Sequence, residues 1–328
     1  MLISAEIKEA ALEVGFDDCG VARAEALGDE EYPLREWLRR GGHGELHYME
    51  RNVEKRLDPR LLVEGARSVI CVVSAYPPPS GCVPATGRIA AYARHRDYHE
   101  DIKRMLFALR ERLGIDGKLC CDTVPISDKH WAARAGLGWI GRHTLLVTPR
   151  WGTWVNLGEI VTTEECDRYD SPLIGDARPE GRATGQSRAT EPGCEGCMRC
   201  VRACPNHALA VDGLPMLDVR RCTAYHTIEN RSETLPEDLN TAGYAFGCDL
   251  CQMACPYNRI TSSPHPLTPS PKGEGEAYGG EGGSLDVEDE ESFRKATEHT
   301  AISRITFAQW QRNNKCLTPS PSPWSRGE

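Results

Sequence analysis

Eight cysteines in the second half of the chain restrict its fold more than any other feature. Seven of them form two runs, Cys194-x-x-Cys197-x-x-Cys200-x-x-x-Cys204-Pro205 and Cys248-x-x-Cys251-x-x-x-Cys255-Pro256, and the eighth is Cys222 between the runs. Intervals this short bring several thiols to one centre, and the metal–sulfur bonds formed there replace much of a hydrophobic core. We therefore expect few helices and strands in this part of the chain.

The first run has the spacing of bacterial ferredoxins, in which three cysteines hold one [4Fe–4S] cluster and the fourth ligates the other. The spacing favours clusters over disulfides or structural zinc, because a zinc site needs only paired C-x-x-C elements. The second run is one cysteine short, since Ala245 stands where a full repeat would begin, and Cys222 is the only spare cysteine between the runs. The alternative for Cys222 is a buried, inert thiol. Ferredoxin logic predicts one ligand set of Cys194, Cys197, Cys200 and Cys255, and another of Cys204, Cys222, Cys248 and Cys251.

Length and composition set the broad class. A chain of 328 residues is long enough for two domains. Residues 1–11 do not form a charged-then-apolar signal peptide, and no apolar run approaches a membrane span. We therefore expect reduced thiols, a cytoplasmic protein and no membrane partner. The net charge of −9 argues against indiscriminate nucleic-acid binding. Residues 88–150, however, hold twelve Lys/Arg and seven Asp/Glu. This local excess of positive charge could bind a phosphate-bearing partner or could be an ordinary solvated surface.

Periodicity divides the chain into four parts. Residues 1–163 are predicted to be α/β, with a helix capped by Ser4, a buried strand at 68–75, a helix at 101–113 and strand candidates at 119–124, 144–148 and 153–161. Residues 164–193 form a polar linker or long loop, and residues 194–260 form the cluster module. Residues 261–328 are a tail in which Leu-Thr-Pro-Ser-Pro occurs twice, around an ordinary segment at 292–314 that we predict to be helical.

Three motifs in the first half are open to chemical interpretation. Gly136-x-Gly138-x-x-Gly141 matches the dinucleotide fingerprint but lacks the strand before it and the helix after it, so we expect glycines that allow a ligand or a neighbouring element to approach closely. Asp122 follows a predicted strand, where it either borders a ligand crevice or makes an Asx-turn. His99 is expected to form hydrogen bonds at a helix start and not to bind a metal axially.

The cysteine runs and these motifs together resemble the epoxyqueuosine reductases, which are cobalamin-dependent iron–sulfur enzymes of tRNA modification. The matching segments outside the cysteine runs are Lys55-Arg56-Leu57-Asp58-Pro59, Tyr92-Ala93-Arg94, Asp97-Tyr98-His99, Asp122-Thr123-Val124-Pro125, the stretch from Arg134 to Arg142 and Gly158-Glu159-Ile160. The resemblance implies an α/β (α+β) cobalamin-binding domain, a ferredoxin-like domain with two [4Fe–4S] clusters, and C-terminal helical repeats. Those repeats are largely missing here, because the repetitive tail stands in their place.

The family further implies reduction of epoxyqueuosine to queuosine at the wobble base of tRNA, the last step of queuosine biosynthesis, by a monomer. Electrons would come from a donor such as flavodoxin or ferredoxin. Asp122 falls on the catalytic acid, and the positions that line the corrin are Arg56, Asp122, Leu146, Leu157 and Ala224. Burial against the corrin is expected to raise the pKa of Asp122 so that it holds a proton.

Two other functions compete with this interpretation. A corrinoid reductive dehalogenase would use related chemistry on small halogenated molecules, but those proteins usually carry an export signal. A ferredoxin-type electron-transfer protein would account for the cluster module alone and would leave residues 1–163 without a role.

Overall fold

The computed structural model describes residues 1–79, 87–173, 194, 196–210, 216–260, 285 and 287–315. Its helices are α1 Ser4–Glu13, α2 Gly28–Arg39, α3 Val53–Leu57, α4 Tyr98–Leu113, α5 Asp128–Arg134, α6 Arg199–Ala203, α7 Thr223–Ile228, α8 Leu250–Met253, α9 Tyr257–Ile260, α10 Glu290–Thr297 and α11 Phe307–Lys315. Its strands are β1 Asp18–Arg23, β2 Ser68–Ala75, β3 Arg88–Ile89, β4 Lys118–Cys120, β5 Trp139–Ile140, β6 Leu146–Val147, β7 Val155–Thr162 and β8 Tyr244–Phe246. The longest of these helices is α4, and none in the described ranges has the length and hydropathy needed to cross a bilayer.

A four-stranded sheet in the order β1-β2-β7-β4 organises the first half of the chain, and every neighbouring pair in it is antiparallel. The two long strands, β2 and β7, pair along their whole length, from Ser68 opposite Thr162 to Ala75 opposite Val155. An antiparallel sheet with helices on its faces is an α+β arrangement. The expected mixture of helices and strands is therefore confirmed in its α+β form.

Helices cover both faces of this sheet, which explains why β2 is apolar throughout. Val69, Cys71 and Val73 point to a core shared with Trp131 of α5. Ile70 and Val72 point to the opposite core, which is filled by α1 and α4. Successive strand residues face opposite sides, so a strand that is buried on both sides reads as a continuous apolar run.

The cluster module is joined to the first half by backbone pairing and by hydrogen bonds. Strand β3 pairs in parallel with β8, which lies between the two cysteine runs. Trp37 donates its indole N–H to the carbonyl of Leu217 at 2.6 Å, and Asp249 accepts from the backbone N–H of Ala91 at 2.9 Å. The two cysteine runs are therefore anchored directly to the sheet domain.

Residues 287–315 fold back onto the junction between β3 and β8. Helix α10 begins with a capping box formed by Asp289 and Ser292. Side chains from α10, α11 and the 3₁₀ turn Ala301–Arg304 pack with Ile89 and Phe246 in one buried cluster. Asn313 is fully buried, and its amide donates to the carbonyls of Thr227 and Ala245 at 2.9 and 2.8 Å.

Several local expectations differ from the structure. Ile3, not Ser4, is the N-cap of α1, and the carboxylate of Asp167 accepts the Ser4 backbone N–H at 2.8 Å, so a distant side chain caps this helix. Strand β4 ends at Cys120, because Asp122 takes a left-handed conformation with φ of 54°. Strand pairing cannot continue through a residue in that region. The interpretation of residues 174–193 as a linker lies outside the described residues, as do both copies of the repeat.

Candidate active site

The seven cysteines of the two runs and Cys222 lie within or beside short helices of the cluster module. Cys200 lies in α6, Cys251 lies in α8, and these two helices pack together. Cys222 immediately precedes α7, and backbone N–H groups at the start of that helix face its sulfur. N–H groups directed at a thiolate stabilise its negative charge and tune the potential of a bound cluster.

The thiols fall into two electrostatic groups. Burial raises the pKa of Cys255 to about 11, and the neighbouring thiols of Cys194, Cys200 and Cys197 act in the same direction. Burial also raises the pKa of Cys251. Its thiol interacts with those of Cys222 and Cys204, and more weakly with that of Cys200. Cys248 interacts with Cys251 and Cys222. The neighbours of Cys255 belong to one predicted ligand set, whereas those of Cys251 include Cys200 of the other set, so the two ligand sets stay a prediction.

Each group fits a positively charged metal centre. Four buried thiolates in one place repel one another, so the protein alone favours the neutral thiols and their raised pKa values. A bound metal centre reverses that preference, because it supplies positive charge and takes the thiolates as ligands. The donor set, all sulfur and in sets of four, is the one that [4Fe–4S] clusters require.

The Asp122 carboxylate is in contact with two cationic side chains. Its Oδ2 is 3.1 Å from His99 Nε2 and 3.7 Å from a terminal nitrogen of Arg304. The Asp122 side chain is 51% exposed, so the carboxyl is open to a ligand on its remaining side. Arg304 also binds Glu229 at 2.9 Å. Residues that are up to 200 positions apart in the sequence thus share one site.

His99 is held in place from its other side. Asp97 caps α4, and its Oδ1 accepts the His99 backbone N–H at 3.0 Å and lies 2.6 Å from the ring Nδ1. The hydrogen bonds to Asp122 and Asp97 outweigh the burial of the ring and raise the pKa of His99 to about 9. The expectation that His99 forms hydrogen bonds at a helix start is confirmed.

The protein's own groups lower the pKa of Asp122, whereas the predicted rise depends on burial against the corrin and stays a prediction. The hydrogen bond from His99 lowers the pKa of Asp122, and the charges on His99 and Arg304 add to that effect against the opposing effect of burial. The hydrogen bond and the charges outweigh burial, because an opposite charge within hydrogen-bond distance stabilises the ionised carboxylate. At neutral pH, Asp122 is therefore a carboxylate beside an imidazolium.

A second pair of carboxyls lies beneath the Asp122 loop. Glu159 in β7 is completely buried, and its carboxyl interacts with that of Asp128. Burial raises its pKa well above the usual range, and the nearby Asp128 adds to the shift. Burial likewise raises the pKa of Asp128 to about 6, and this carboxyl faces the backbone N–H of Asp122 at 3.4 Å. The loop that presents Asp122 is therefore supported by a buried carboxyl pair, of which Glu159 is the member that holds its proton.

The other residues expected to line a corrin occupy three places. Arg56 ends α3, donates to the carbonyl of Tyr48 at 3.2 Å, and interacts electrostatically with Asp122. Leu146 and Leu157 pack in the core beneath α5. Ala224, near the start of α7, belongs to the separate cluster around Phe246. The structure therefore associates Arg56 with Asp122, and Leu146 with Leu157, but it does not show Ala224 in contact with either pair.

Unpartnered buried donors on this half of the molecule fit a cofactor that is rich in acceptors. Arg56 Nε and the indole nitrogens of Trp131 and Trp139 are buried without a hydrogen-bond partner in the described part of the chain. Buried donors normally find partners, so each such group needs an explanation. Cobalamin carries amide carbonyls around its corrin ring, and these are suitable acceptors. The residues present thus fit the cofactor.

The glycines of the Gly136-x-Gly138-x-x-Gly141 motif make room for protein and not for a nucleotide. A Cβ on Gly138 would lie 2.3 Å from the carbonyl oxygen of Val147, and one on Gly136 would lie 2.8 Å from that of Ser171. Between the last two glycines, β5 pairs with β6 in a short hairpin. The expectation that a neighbouring element approaches closely is confirmed.

Comparison with known proteins agrees with this geometry. A family model described as "Epoxyqueuosine reductase QueG, DUF1730" matches residues 56–123, and one described as "4Fe-4S double cluster binding domain" matches residues 193–258. An epoxyqueuosine reductase of Cyclobacterium marinum is 34% identical over 319 residues, covering 94% of this chain and 94% of the relative. This chain belongs to the epoxyqueuosine reductase family.

Other members of the epoxyqueuosine reductase family support the same assignment. The protein of Gloeobacter violaceus is 39% identical over 264 residues, which are 78% of this chain and 76% of that one. A crystal structure of epoxyqueuosine reductase with an epoxyqueuosine-modified tRNA-Tyr stem loop aligns with a TM-score of 0.78 at 25% identity, covering 95% of this chain and 80% of that one. A Bacillus subtilis epoxyqueuosine reductase structure shares the fold, with a TM-score of 0.73 at 24% identity over 95% of this chain and 80% of that one.

Sequence reasoning missed some of the site residues. Arg304 and Glu229 received no role, although they complete the charged surroundings of Asp122. Arg304 lies beyond the repetitive segment, in a stretch whose only signal was its apolar spacing. Nothing in the local sequence distinguishes Arg304 from a basic residue that is exposed to solvent.

Proposed function

We propose that this chain reduces epoxyqueuosine to queuosine at the wobble position of tRNA. The observation that carries the proposal is membership of the epoxyqueuosine reductase family over nearly the whole chain, together with a half-exposed Asp122. A pure electron-transfer protein would not need the first half of the chain. The dehalogenase alternative has no specific observation in its favour.

The cofactors are two [4Fe–4S] clusters and cobalamin. We assign one cluster to Cys194, Cys197, Cys200 and Cys255, and the other to Cys204, Cys222, Cys248 and Cys251. When bound, cobalamin supplies the redox chemistry at carbon and oxygen, and the clusters relay single electrons to it. Arg56, Leu146, Leu157 and Ala224 are proposed to line the corrin, with the buried Nε of Arg56 as a hydrogen-bond donor to it.

Asp122 is the proposed proton donor to the departing oxygen. Its carboxyl is half-exposed, its loop is supported from below by Asp128, and His99 stands within hydrogen-bond distance of it. A general acid must reach the oxygen that leaves, and the open side of Asp122 allows a substrate to approach. Because the pKa of Asp122 is lowered, the carboxyl has to receive a proton before it can donate one.

The proposed partners follow from this reaction. The substrate is the anticodon stem-loop of a tRNA, by analogy with the relative solved with an epoxyqueuosine-modified stem loop. We propose a flavodoxin or ferredoxin as electron donor, a monomeric enzyme and a cytoplasmic location. The sheet domain, with its excess of basic residues at 88–150, supplies positive charge for the phosphates of the stem-loop.

Anaerobic turnover tests the proposal. Protein reconstituted with clusters and cobalamin is given reductant and an epoxyqueuosine-containing stem-loop, and the nucleosides are analysed by mass spectrometry. We expect a product that has lost one oxygen atom. Intact epoxyqueuosine in the presence of fully loaded enzyme would refute the proposed reaction.

The Asp122→Asn variant tests the proton donor in the same assay. It should keep its clusters and cobalamin but lose about 10²–10⁴-fold in turnover, because an amide cannot donate the required proton in the same way. The matched control is Asp116→Asn, which alters an exposed carboxyl near the start of β4. Equal turnover in the Asp122 and Asp116 variants would remove Asp122 from the mechanism.

A further inference from the structure

Three side chains form a continuous line that ends at the proposed proton donor. Asp97 Oδ1 lies 2.6 Å from His99 Nδ1, and His99 Nε2 lies 3.1 Å from Asp122 Oδ2. The His99 side chain in the middle of the line is 12% exposed and that of Asp97 at its far end is 21% exposed, whereas that of Asp122 is 51% exposed. The line therefore runs from two partly covered side chains to the open face of the site.

This geometry requires a proton beyond those of a neutral imidazole. An ionised carboxylate can only accept hydrogen bonds, and a neutral imidazole donates from one ring nitrogen alone. Both ring nitrogens of His99 face a carboxyl oxygen, so both contacts are hydrogen bonds only if the three groups together hold one extra proton. That proton lies on the imidazole or on one of the two carboxyls.

The proposed reaction has a use for such a proton. Conversion of an epoxide to an alkene consumes two electrons and two protons, and the oxygen leaves as water. The electrons come from the external reductant through the clusters, whereas a single carboxyl carries only one proton at a time. Any proton that Asp122 donates must therefore reach it first, because its lowered pKa leaves the resting carboxyl ionised.

We propose that His99, oriented by Asp97, is the residue that supplies protons to Asp122. The imidazolium Nε2–H is transferred to the Asp122 carboxylate, which passes the proton to the substrate oxygen, and the neutral imidazole is then protonated from solvent. His99 does not touch the substrate in this scheme, so it is a positioning and proton-supplying residue. The inference rests on the proposed function.

The charged surroundings determine where the proton rests. On the Asp122 side, Arg304 from the 3₁₀ turn lies 3.7 Å from the carboxylate and is itself paired with Glu229. On its own helix, His99 stacks on Tyr98 at 4.0 Å. From below, Asp128 faces the backbone of Asp122. With these neighbours the pKa of His99 is raised to about 9 and that of Asp122 is lowered, so at neutral pH the proton rests on the imidazole.

The first test is the pH dependence of single turnover in the reconstituted holoenzyme. In the wild type, the rate should be level through neutral pH and fall above about pH 9, because the imidazolium is present below its raised pKa and lost above it. His99→Gln should reduce kcat about 10²-fold with little change in KM, and the fall near pH 9 should disappear. His47→Gln, which alters a side chain that is 69% exposed, is the matched control and should behave as the wild type does.

The second test measures the His99 proton without turnover. Exchange of the imidazole C2 hydrogen for deuterium, followed by mass spectrometry of the His99 peptide, gives the pKa of the ring. The wild type should titrate near pH 9, and both Asp97→Asn and Asp122→Asn should lower that value. The inference would be overturned by an unchanged His99 pKa in both variants, or by a fall in the rate near pH 9 that persists in His99→Gln. Absence of turnover in the wild type would instead refute the proposed function, because the His99 titration does not depend on it.

Discussion

At the scale of single residues, the environment of Asp122 reverses the simplest expectation for a catalytic acid. Burial alone would hold the carboxyl in its protonated form. His99 and Arg304 stand close enough to keep it ionised instead. The sequence placed Asp122 after a strand, but it could not show this charge balance, because Arg304 lies 182 positions farther along the chain. Local patterns predict where a side chain lies on its own element, and only the tertiary structure determines which charges face it.

The cysteine ligands are the residues that the sequence predicts best. Their spacing is a local property, and the structure brings Cys222 near Cys204, Cys248 and Cys251, whereas their shared ligation of one cluster stays a prediction. Cys222→Ala should therefore remove one cluster and leave the other, which lowers bound iron by about half. Iron content and low-temperature electron paramagnetic resonance spectra check this. The control is Cys71→Ala, a buried thiol of the sheet core, and equal iron in both variants would contradict the assignment.

At the scale of elements, the agreement follows the length and periodicity of each segment. Strand β2 has the predicted bounds, and α4 begins three residues before its prediction because Asp97 provides the cap. Short elements such as β4 were predicted too long, since a single left-handed residue, Asp122, ends the pairing. The segment at 292–314 was expected to be helical, and its residues lie in α10, a 3₁₀ turn and α11. Its contact with Asp122 could not be predicted, because a long repetitive stretch separates it from the rest of the sequence.

The packing of α11 gives a test of how much this segment contributes to stability. Trp310 is 4% exposed and packs with Phe293 in the cluster around Phe246. Trp310→Ala should destabilise the protein by about 3–5 kcal/mol through lost burial and a residual cavity. The Tm of the reconstituted protein should then fall by roughly 2–4 °C for each kcal/mol. Gln311→Ala alters the exposed neighbour on the same helix, and an equal Tm for the two variants would show that α11 does not stabilise the fold.

At the scale of the whole molecule, the sheet domain and the cluster module are stabilised by different interactions. The sheet domain has an apolar core on each face of the sheet. Among its described residues, the cluster module has a small core of its own, formed by Ala242, Tyr244 and Leu250. In a module of this kind, metal–sulfur bonds provide much of the folding free energy. Residues 287–315 depend on that module, since Asn313 and Arg312 bind carbonyls of α7 and β8.

Removal of the clusters should therefore loosen one part of the molecule selectively. Chelation of iron under reducing conditions is expected to increase hydrogen–deuterium exchange in β8 and α11, because the carbonyls that anchor α11 lose their fixed positions. Exchange in β2 should change little, since helices cover both of its faces without help from the metal. Mass spectrometry of peptides from the loaded and stripped protein measures both regions in one experiment. An equal loss of protection in β2 would show that the clusters stabilise the whole chain as a single cooperative unit. The selective pattern would instead show that α11 depends on the cluster module for its position and that the sheet domain does not.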